Sequence, residues 1–384
     1  MPGEHTVFVM SPLTMSRVLG DLDVLSRGGL GLDDFLAEAT SSLQRAVPWV
    51  GACAGTNDPA TMMLTSVRKY GALESQNDHD QLWGVIEYGS DEATSFRSIA
   101  VSEQRAIGTH ETMSGEIERS ERMTRLMRPV YGFADEARLL FRDASGVWGA
   151  LSIFRGGDDP SFAADEVEFL GGLSESFARG VRLGMLARLA TGLVPDPDPA
   201  GPAVIIVDAG DRISQISVGA EERLGQLQGD AHGGDPLTIV ISLVSAARRM
   251  LGTPGAALPR ARVRTGSGVW LLLHASPLRG ADGAVGDVVV TIEEARPPEI
   301  VALVVAAFGL TARERDVTRL VLQGVDTKEI ASTLHVSAYT VQDHLKAVFD
   351  KAGVRSRREL ISRVYFDQYV PRMGASAGPT GWFA

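Results

Sequence analysis

Asp326-Thr-Lys-Glu-Ile-Ala-Ser-Thr-Leu-His-Val-Ser-Ala-Tyr-Thr-Val-Gln-Asp-His-Leu-Lys346 is the most definite stretch in this chain of 384 residues. Asp326 and Ser337 are N-cap residues, and Glu329 stands three positions after Asp326, as in a capping box. The pattern predicts helices at 327–334 and 338–352, joined by the tight turn His335-Val-Ser337, the layout of a helix-turn-helix. Working outward, Thr311-Ala-Arg-Glu314 and Ser356-Arg-Arg-Glu359 repeat the capping pattern, while Gly324 and Gly353 fall where helices should stop. Helices at 312–323, 327–334, 338–352 and 357–369 would make a compact all-α module.

Helix 338–352 has two faces. Val341, Leu345, Val348 and Ala352 form an apolar stripe, and Tyr339, Gln342, Asp343 and Lys346 follow i, i+3, i+4, i+7 on the other side. The second face is polar and lies at the N-terminal half, where a recognition helix meets base edges in the major groove. Gln342 can pair bidentately with adenine N6/N7, Asp343 can accept from cytosine N4, and Lys346 can reach guanine or a phosphate. His344 reads as a flank or phosphate contact. No second histidine stands at i±3 or i±4 to complete a metal or catalytic pair.

Leu310-Thr-Ala-Arg-Glu-Arg-Asp-Val317, Gly324-Val-Asp-Thr-Lys-Glu-Ile-Ala331, Leu334-His-Val-Ser337, Thr340-Val-Gln-Asp-His-Leu-Lys346 and Lys351-Ala-Gly-Val-Arg-Ser-Arg357 together resemble the LuxR-type helix-turn-helix signature. The resemblance implies a transcription factor that binds double-stranded promoter or operator DNA as a homodimer, with RNA polymerase as a further partner. It implies base reading by Tyr339, Gln342, Asp343 and Lys346, and phosphate contacts by Thr327, Lys328, Thr340, His344 and Arg357. It also implies a dimerising face on the last helix, made of Leu360, Ile361, Val364 and Tyr365. Gln342 departs from the family pattern, which has lysine there, and so removes one cation from the recognition face.

Upstream, Pro195-Asp-Pro197-Asp-Pro199-Ala-Gly-Pro202 cannot be helix and reads as a semi-rigid linker. Arg296-Pro297-Pro298 marks a second break. The expected organisation is an N-terminal leader at 1–30, a sensor domain at 31–190, a Pro-rich linker at 191–202 and a second sensor domain at 203–296. A linker helix at 297–307, the helix-turn-helix domain at 308–373 and a flexible tail at 374–384 complete it.

The middle piece runs β-β-α-α-β-β-β, with helices at 220–228 and 236–251, and resembles a PAS domain: an antiparallel sheet with helices over one face. In the first piece, strands 137–142 and 147–154 form a hairpin about Asp143-Ala-Ser-Gly146. A long amphipathic helix follows, carrying Leu170, Leu173, Phe177, Val181 and Met185 on one stripe, and the whole resembles a GAF domain. That stripe is either a core face or a dimeric coiled-coil seam. A short echo, Ser145-Gly-Val-Trp148 and Ser267-Gly-Val-Trp270, enters the strongest strand of each piece. The expected fold class is multidomain α+β: two antiparallel-sheet sensor domains, GAF-like and PAS-like, then an all-α four-helix domain. This architecture is similar to that of actinobacterial regulators.

Charge sharpens the reading. Lys+Arg is 37 against 48 Asp+Glu, for a net −11, which argues against a protein that coats nucleic acid throughout. Residues 308–374 nevertheless hold 11 basic and 8 acidic residues, a net +3, leaving −14 for the remainder. Only Lys69, Lys328, Lys346 and Lys351 are lysines, and three of them lie in this module. The absence of lysine from 70 to 327 speaks against a phosphoacceptor receiver domain, and no Lys-Ser/Thr pair exists for a P-loop. A lone sensor domain of the acyl-homoserine-lactone type is too short for the residues upstream.

Other features carry less. Cys53 is the only cysteine, which excludes a disulfide framework and makes a reducing cytoplasm the default; in its apolar run it reads as core. His274 reads as a strand histidine rather than a haem ligand. Gly374-Ala-Ser-Ala-Gly378 matches a nucleophile elbow but lacks the flanking strand and helix. No enzyme, catalytic residue, metal or cofactor is expected; an unidentified small-molecule effector is. The longest apolar run, Ile300 to Leu310, is shorter than the ~18–20 residues that cross a bilayer, and the N-terminus lacks the pattern of a secretory signal. The rival reading is a sensory adaptor that grips another protein with the helical module.

Overall fold

The computed structural model describes residues 11–186, 202–227, 233–251, 257–279 and 285–366. The chain forms two compact units, the first made essentially of residues up to 187 together with 229–259, the second of 188–228 and 260–384. Each unit holds one five-stranded antiparallel sheet, and the two sheets share a strand order of 2-1-5-4-3. This α+β organisation with a C-terminal helical module agrees with the expected fold class.

In the first unit the strands are β1 (Gly51–Asn57), β2 (Leu64–Gly71), β3 (Ala106–Gly108), β4 (Asp135–Asp143) and β5 (Gly146–Arg155). The hairpin β4–β5 forms about the expected turn, with Gly146 supplying φ +138 there. Helices α1 (Pro12–Arg27), α2 (Leu32–Gln44) and α4 (Ser174–Leu186) stack together, α4 lying on β4, while α3 (Asp80–Gly89) lies over the opposite sheet face. The long amphipathic helix of the sequence reading divides at Leu173, where the Ser174 hydroxyl donates to the Leu140 carbonyl at 2.5 Å.

All five stripe residues are buried in the unit; Phe177 stacks on Phe141 at 4.7 Å and meets Phe35 edge-on at 6.0 Å. The stripe is therefore core, not a seam. Gly180 makes this packing feasible, because a Cβ there would lie 2.1 Å from the Phe35 ring.

The helix expected over the second sheet, α5 (Leu237–Arg249), is instead packed against α3 in the first unit. Small residues permit the approach: a Cβ on Gly84 would stand 2.9 Å from Ser242 Oγ and 3.4 Å from the Thr238 carbonyl. Polar bonds fasten both ends of the segment. The Asp235 N–H donates to Asp80 Oδ2 at 3.0 Å, Gln81 Nε2 to Asp235 Oδ2 at 2.8 Å, and Arg249 Nε to the Tyr88 carbonyl at 3.0 Å.

A buried ion cluster ties the α3 side to β4. The Arg122 guanidinium lies 2.7 Å from Glu136, 3.4 Å from Glu92 and 3.5 Å from Glu87, and Arg138 lies 2.8 Å from Glu87. Burial penalises the Glu92 anion, but Arg122 and hydroxyls from Thr94 and Ser120 outweigh it and hold the carboxyl below its ordinary range. Charged residues scattered from 87 to 138 give no sequence signal of this kind.

In the second unit, β6 (Ala203–Val207), β7 (Ile213–Ile216), β8 (Arg260–Arg264), β9 (Trp270–Arg279) and β10 (Val285–Glu294) fall where the β-rich runs predict. After them come α6 (Pro297–Ala307) and the module α7 (Ala312–Leu322), α8 (Thr327–Thr333), α9 (Ala338–Ala352) and α10 (Arg357–Ile361). The last helix, expected to run to 369, passes into a π turn at Ser362–Phe366, beyond which the described residues end. The Pro-rich stretch up to 201, the tail from 374 and the Gly374–Gly378 motif lie outside the described residues.

Two variants test this packing. Gly84→Leu overpacks the α3–α5 contact, a change that costs about 1–3 kcal/mol; we expect faster amide exchange across 233–251 than across β4 and β5, measured by hydrogen–deuterium exchange. Arg122→Met leaves buried carboxylates unpaired and should destabilise the first unit by about 3–5 kcal/mol in denaturant titrations.

Candidate nucleic-acid interface

Local chemistry builds the module. The Thr311 hydroxyl accepts from the Glu314 N–H at 3.3 Å, while Glu314 Oε2 accepts from the Thr311 N–H at 2.7 Å: a reciprocal capping box at α7. The Asp326 carboxylate accepts from the Lys328 and Glu329 N–H groups at 2.8 and 3.0 Å, which holds its pKa below the ordinary range. Ser337 accepts from the Thr340 N–H at 3.0 Å and opens α9. Between α8 and α9, His335 takes φ +54, a left-handed turn that lets the Val336 N–H close on the Ala331 carbonyl at 3.0 Å.

On α9 the two predicted faces separate. Val341, Leu345, Val348 and Ala352 are buried, and Tyr339, Gln342, Asp343 and Lys346 are exposed, with Tyr339 at 74%. The four make one polar edge, able to donate and accept hydrogen bonds as base edges require. Around it, Lys328 is exposed and Thr327, Thr340 and His344 are half-buried. Thr340 Oγ1 lies 2.9 Å from Ser337 Oγ.

Other residues are engaged inside the module. Arg357 donates to the carbonyls of Val321 and Val325, closing the C-terminal end of α7. Leu360 and Val364 are buried in the core; Ile361 and Tyr365 are half-buried and more accessible.

Lys351 also has a role that spacing did not suggest. Its Nζ donates to Glu314 Oε2 at 2.6 Å, tying the C-terminal turn of α9 to the first turn of α7. Glu314 thus serves two elements. It is visible in the sequence as a capping residue, whereas its partner lies 37 positions away.

A helix-turn-helix class of module is what this arrangement defines. Residues 309–364 match the family model of bacterial regulatory proteins, luxR family. The spore germination protein GerE of Bacillus subtilis is 44% identical over 52 residues, 14% of this chain and 70% of that protein. A putative HTH-type transcriptional regulator of Mycobacterium bovis is 52% identical over 52 residues. The chain spans 6% of that regulator's length and 14% of its own is matched. Among solved structures, the GAF domain of a phosphoenolpyruvate-protein phosphotransferase from Coxiella burnetii aligns at 12% identity with TM-score 0.29. That alignment covers 44% of this chain and 93% of that one. The chain belongs to the luxR family of bacterial regulatory proteins.

The Glu314 tie makes a pH-dependent prediction. Burial raises its pKa, but the bonds from Lys351 and the Thr311 N–H outweigh this, so the folded carboxyl titrates below its ordinary value of 4.5. A lowered folded pKa adds stability above the unfolded value, which is lost as pH falls through the folded one. Glu314→Gln should therefore cost about 1.5–3 kcal/mol at pH 7. The difference from the parent should shrink as thermal melts are taken below pH 4.5.

Proposed function

We propose that this chain is a transcriptional regulator that reads duplex DNA by inserting the N-terminal half of α9 into the major groove. The observation that carries this is the polar edge Tyr339, Gln342, Asp343 and Lys346, exposed on a helix whose opposite face is buried in the module. Gln342 supplies the donor–acceptor pair suited to adenine, Asp343 an acceptor for cytosine N4, and Lys346 a cation for guanine or phosphate. Thr327, Lys328, Thr340 and His344 flank that edge and bind backbone phosphates. Arg357, anchored on the Val321 and Val325 carbonyls, adds positive charge near Asp326 rather than a freely swinging side chain.

The modest net charge of the module argues for a homodimer on a two-fold site, because few phosphate contacts give weak non-specific binding. Ile361 and Tyr365 are the accessible part of the dimerising face; Leu360 and Val364 support it from the core. The sheet-bearing units upstream sense a small-molecule effector that shifts the equilibrium between dimer arrangements, with RNA polymerase contacted at the promoter. The working compartment is the cytoplasm. No helix among the described residues is long and apolar enough to cross a membrane.

Binding-site selection with the full-length chain tests this reading. Gln342→Ala should relax preference at one base pair by about 1–3 kcal/mol, and Lys328→Ala should weaken all sequences and lower the salt slope by about 1. Negligible affinity for every duplex at low salt would leave the adaptor reading in its place.

A further inference from the structure

Beside the α3–α5 contact, the first unit encloses a cavity of about 450 Å³, within the range of small-molecule sites. Its apolar wall includes Met62, Met63, Phe96, Ala246 and Met250. Methionines adapt to varied apolar shapes, and Phe96 is fixed by the Arg138 guanidinium 3.6 Å above its ring. The wall is also braced. Met62 holds φ +62, and its carbonyl accepts from Asn57 Nδ2 at 2.9 Å and the Tyr88 hydroxyl at 3.3 Å. A left-handed methionine is a costly conformation, retained only where its surroundings enforce it.

At the rim the wall turns cationic. Arg97 and Arg249 both face the cavity and share one carboxylate, Asp91: Arg97 hydrogen-bonds it, and the Arg249 guanidinium stands 3.8 Å away. Asp91 is 79% exposed and screened by water, whereas the Arg249 side chain is only 19% exposed. Burial lowers the Arg249 pKa, and the nearby Arg97 charge lowers it further, so the two guanidinium groups repel each other. Glu87 also borders the cavity, but its oxygens are taken by the Phe96 N–H at 2.7 Å and Arg138 at 2.8 Å.

We propose that this cavity binds an amphiphilic monocarboxylate, its carboxylate on Arg249 and Arg97 and its chain or aryl body against Met62, Met63, Phe96 and Met250. The ligand supplies the second anion that two guanidinium groups can hold, and guanidinium–carboxylate bonds are strong when partly desolvated. The site identifies the class of effector for the regulator proposed above and rests on that reading only for its effect at DNA. The lever is α5, which carries Arg249 at its end with Met250 next to it, and which is joined through residues 251–259 to β8 of the second unit.

Isothermal titration of the full-length chain with decanoate, 1-decanol and decyltrimethylammonium tests the proposal. We expect one decanoate per chain, decanol weaker by about tenfold or more, and no binding of the cation. Arg249→Gln should abolish the preference for decanoate over decanol. Arg97→Gln, at a half-exposed position that the fold tolerates, should reduce it, with circular dichroism confirming that both variants are folded. Equal affinity for decanoate and decanol, a preference retained in folded variants, or no binding of decanoate overturns the proposal. Gel shifts on the same samples separate the two readings. A parent chain that binds DNA but shows no preference for decanoate over decanol overturns this site alone, whereas decanoate binding without any DNA affinity upholds the site and overturns the regulator.

Discussion

The close approach of α3 and α5 at Gly84 is the constraint on which the first unit of this protein depends. Two helices can meet there because one offers no side chain and the other offers serine. Once they meet, Asp80, Gln81 and Tyr88 find partners along the arriving segment, and the 450 Å³ cavity acquires its second wall. The helix expected to cover the second sheet is consequently a part of the first unit. The chain leaves the second unit after β7 and the helix Ala220–Gln226, contributes α5 to the first, and returns at β8.

The α3 side is held by charge as well as by packing. Arg122 and Arg138 sit among three carboxylates with almost no solvent access, and each ion leans on hydroxyls or backbone groups besides its counter-charge. Such clusters contribute little net stability over an apolar core, but they tolerate few alternative arrangements, because any misfit strands a buried charge. This favours a single placement of the 87–138 region against β4. The sheet core beneath is aromatic: Phe133 stacks on Phe154 at 4.8 Å, and Phe141 on Phe177.

In the helical module, positioning comes from capping. Each of Thr311, Asp326, Ser337 and Ser356 satisfies N–H groups at the start of its helix, and the Glu314–Lys351 bond fixes α9 against α7. The polar edge of α9 is presented by a frame of capped helices tied by that bond. Arg357 belongs to that frame, so the cationic residues of the module divide into those that hold the helices and those that face outward.

How much was legible in the sequence followed the range of each interaction. Caps act over three residues and amphipathic faces over seven, so α7 to α9, the two faces of α9, the hairpin β4–β5 and the strands of the second sheet could be read from order alone, whereas β1, β2 and β3 could not. The family likeness rests on the same short range. Long-range partnerships were not legible: Glu314 with Lys351, Arg122 with Glu136, and above all α5 with α3. A helix's apolar face states that it will be buried without stating against what, since apolar burial is non-directional. The sequence by itself determined the helices of the C-terminal module, their caps and the outward edge of α9. Only the tertiary structure decided which surface α5 covers, which charges are buried together and where Arg97 and Arg249 converge, because those depend on contacts between residues distant in the chain.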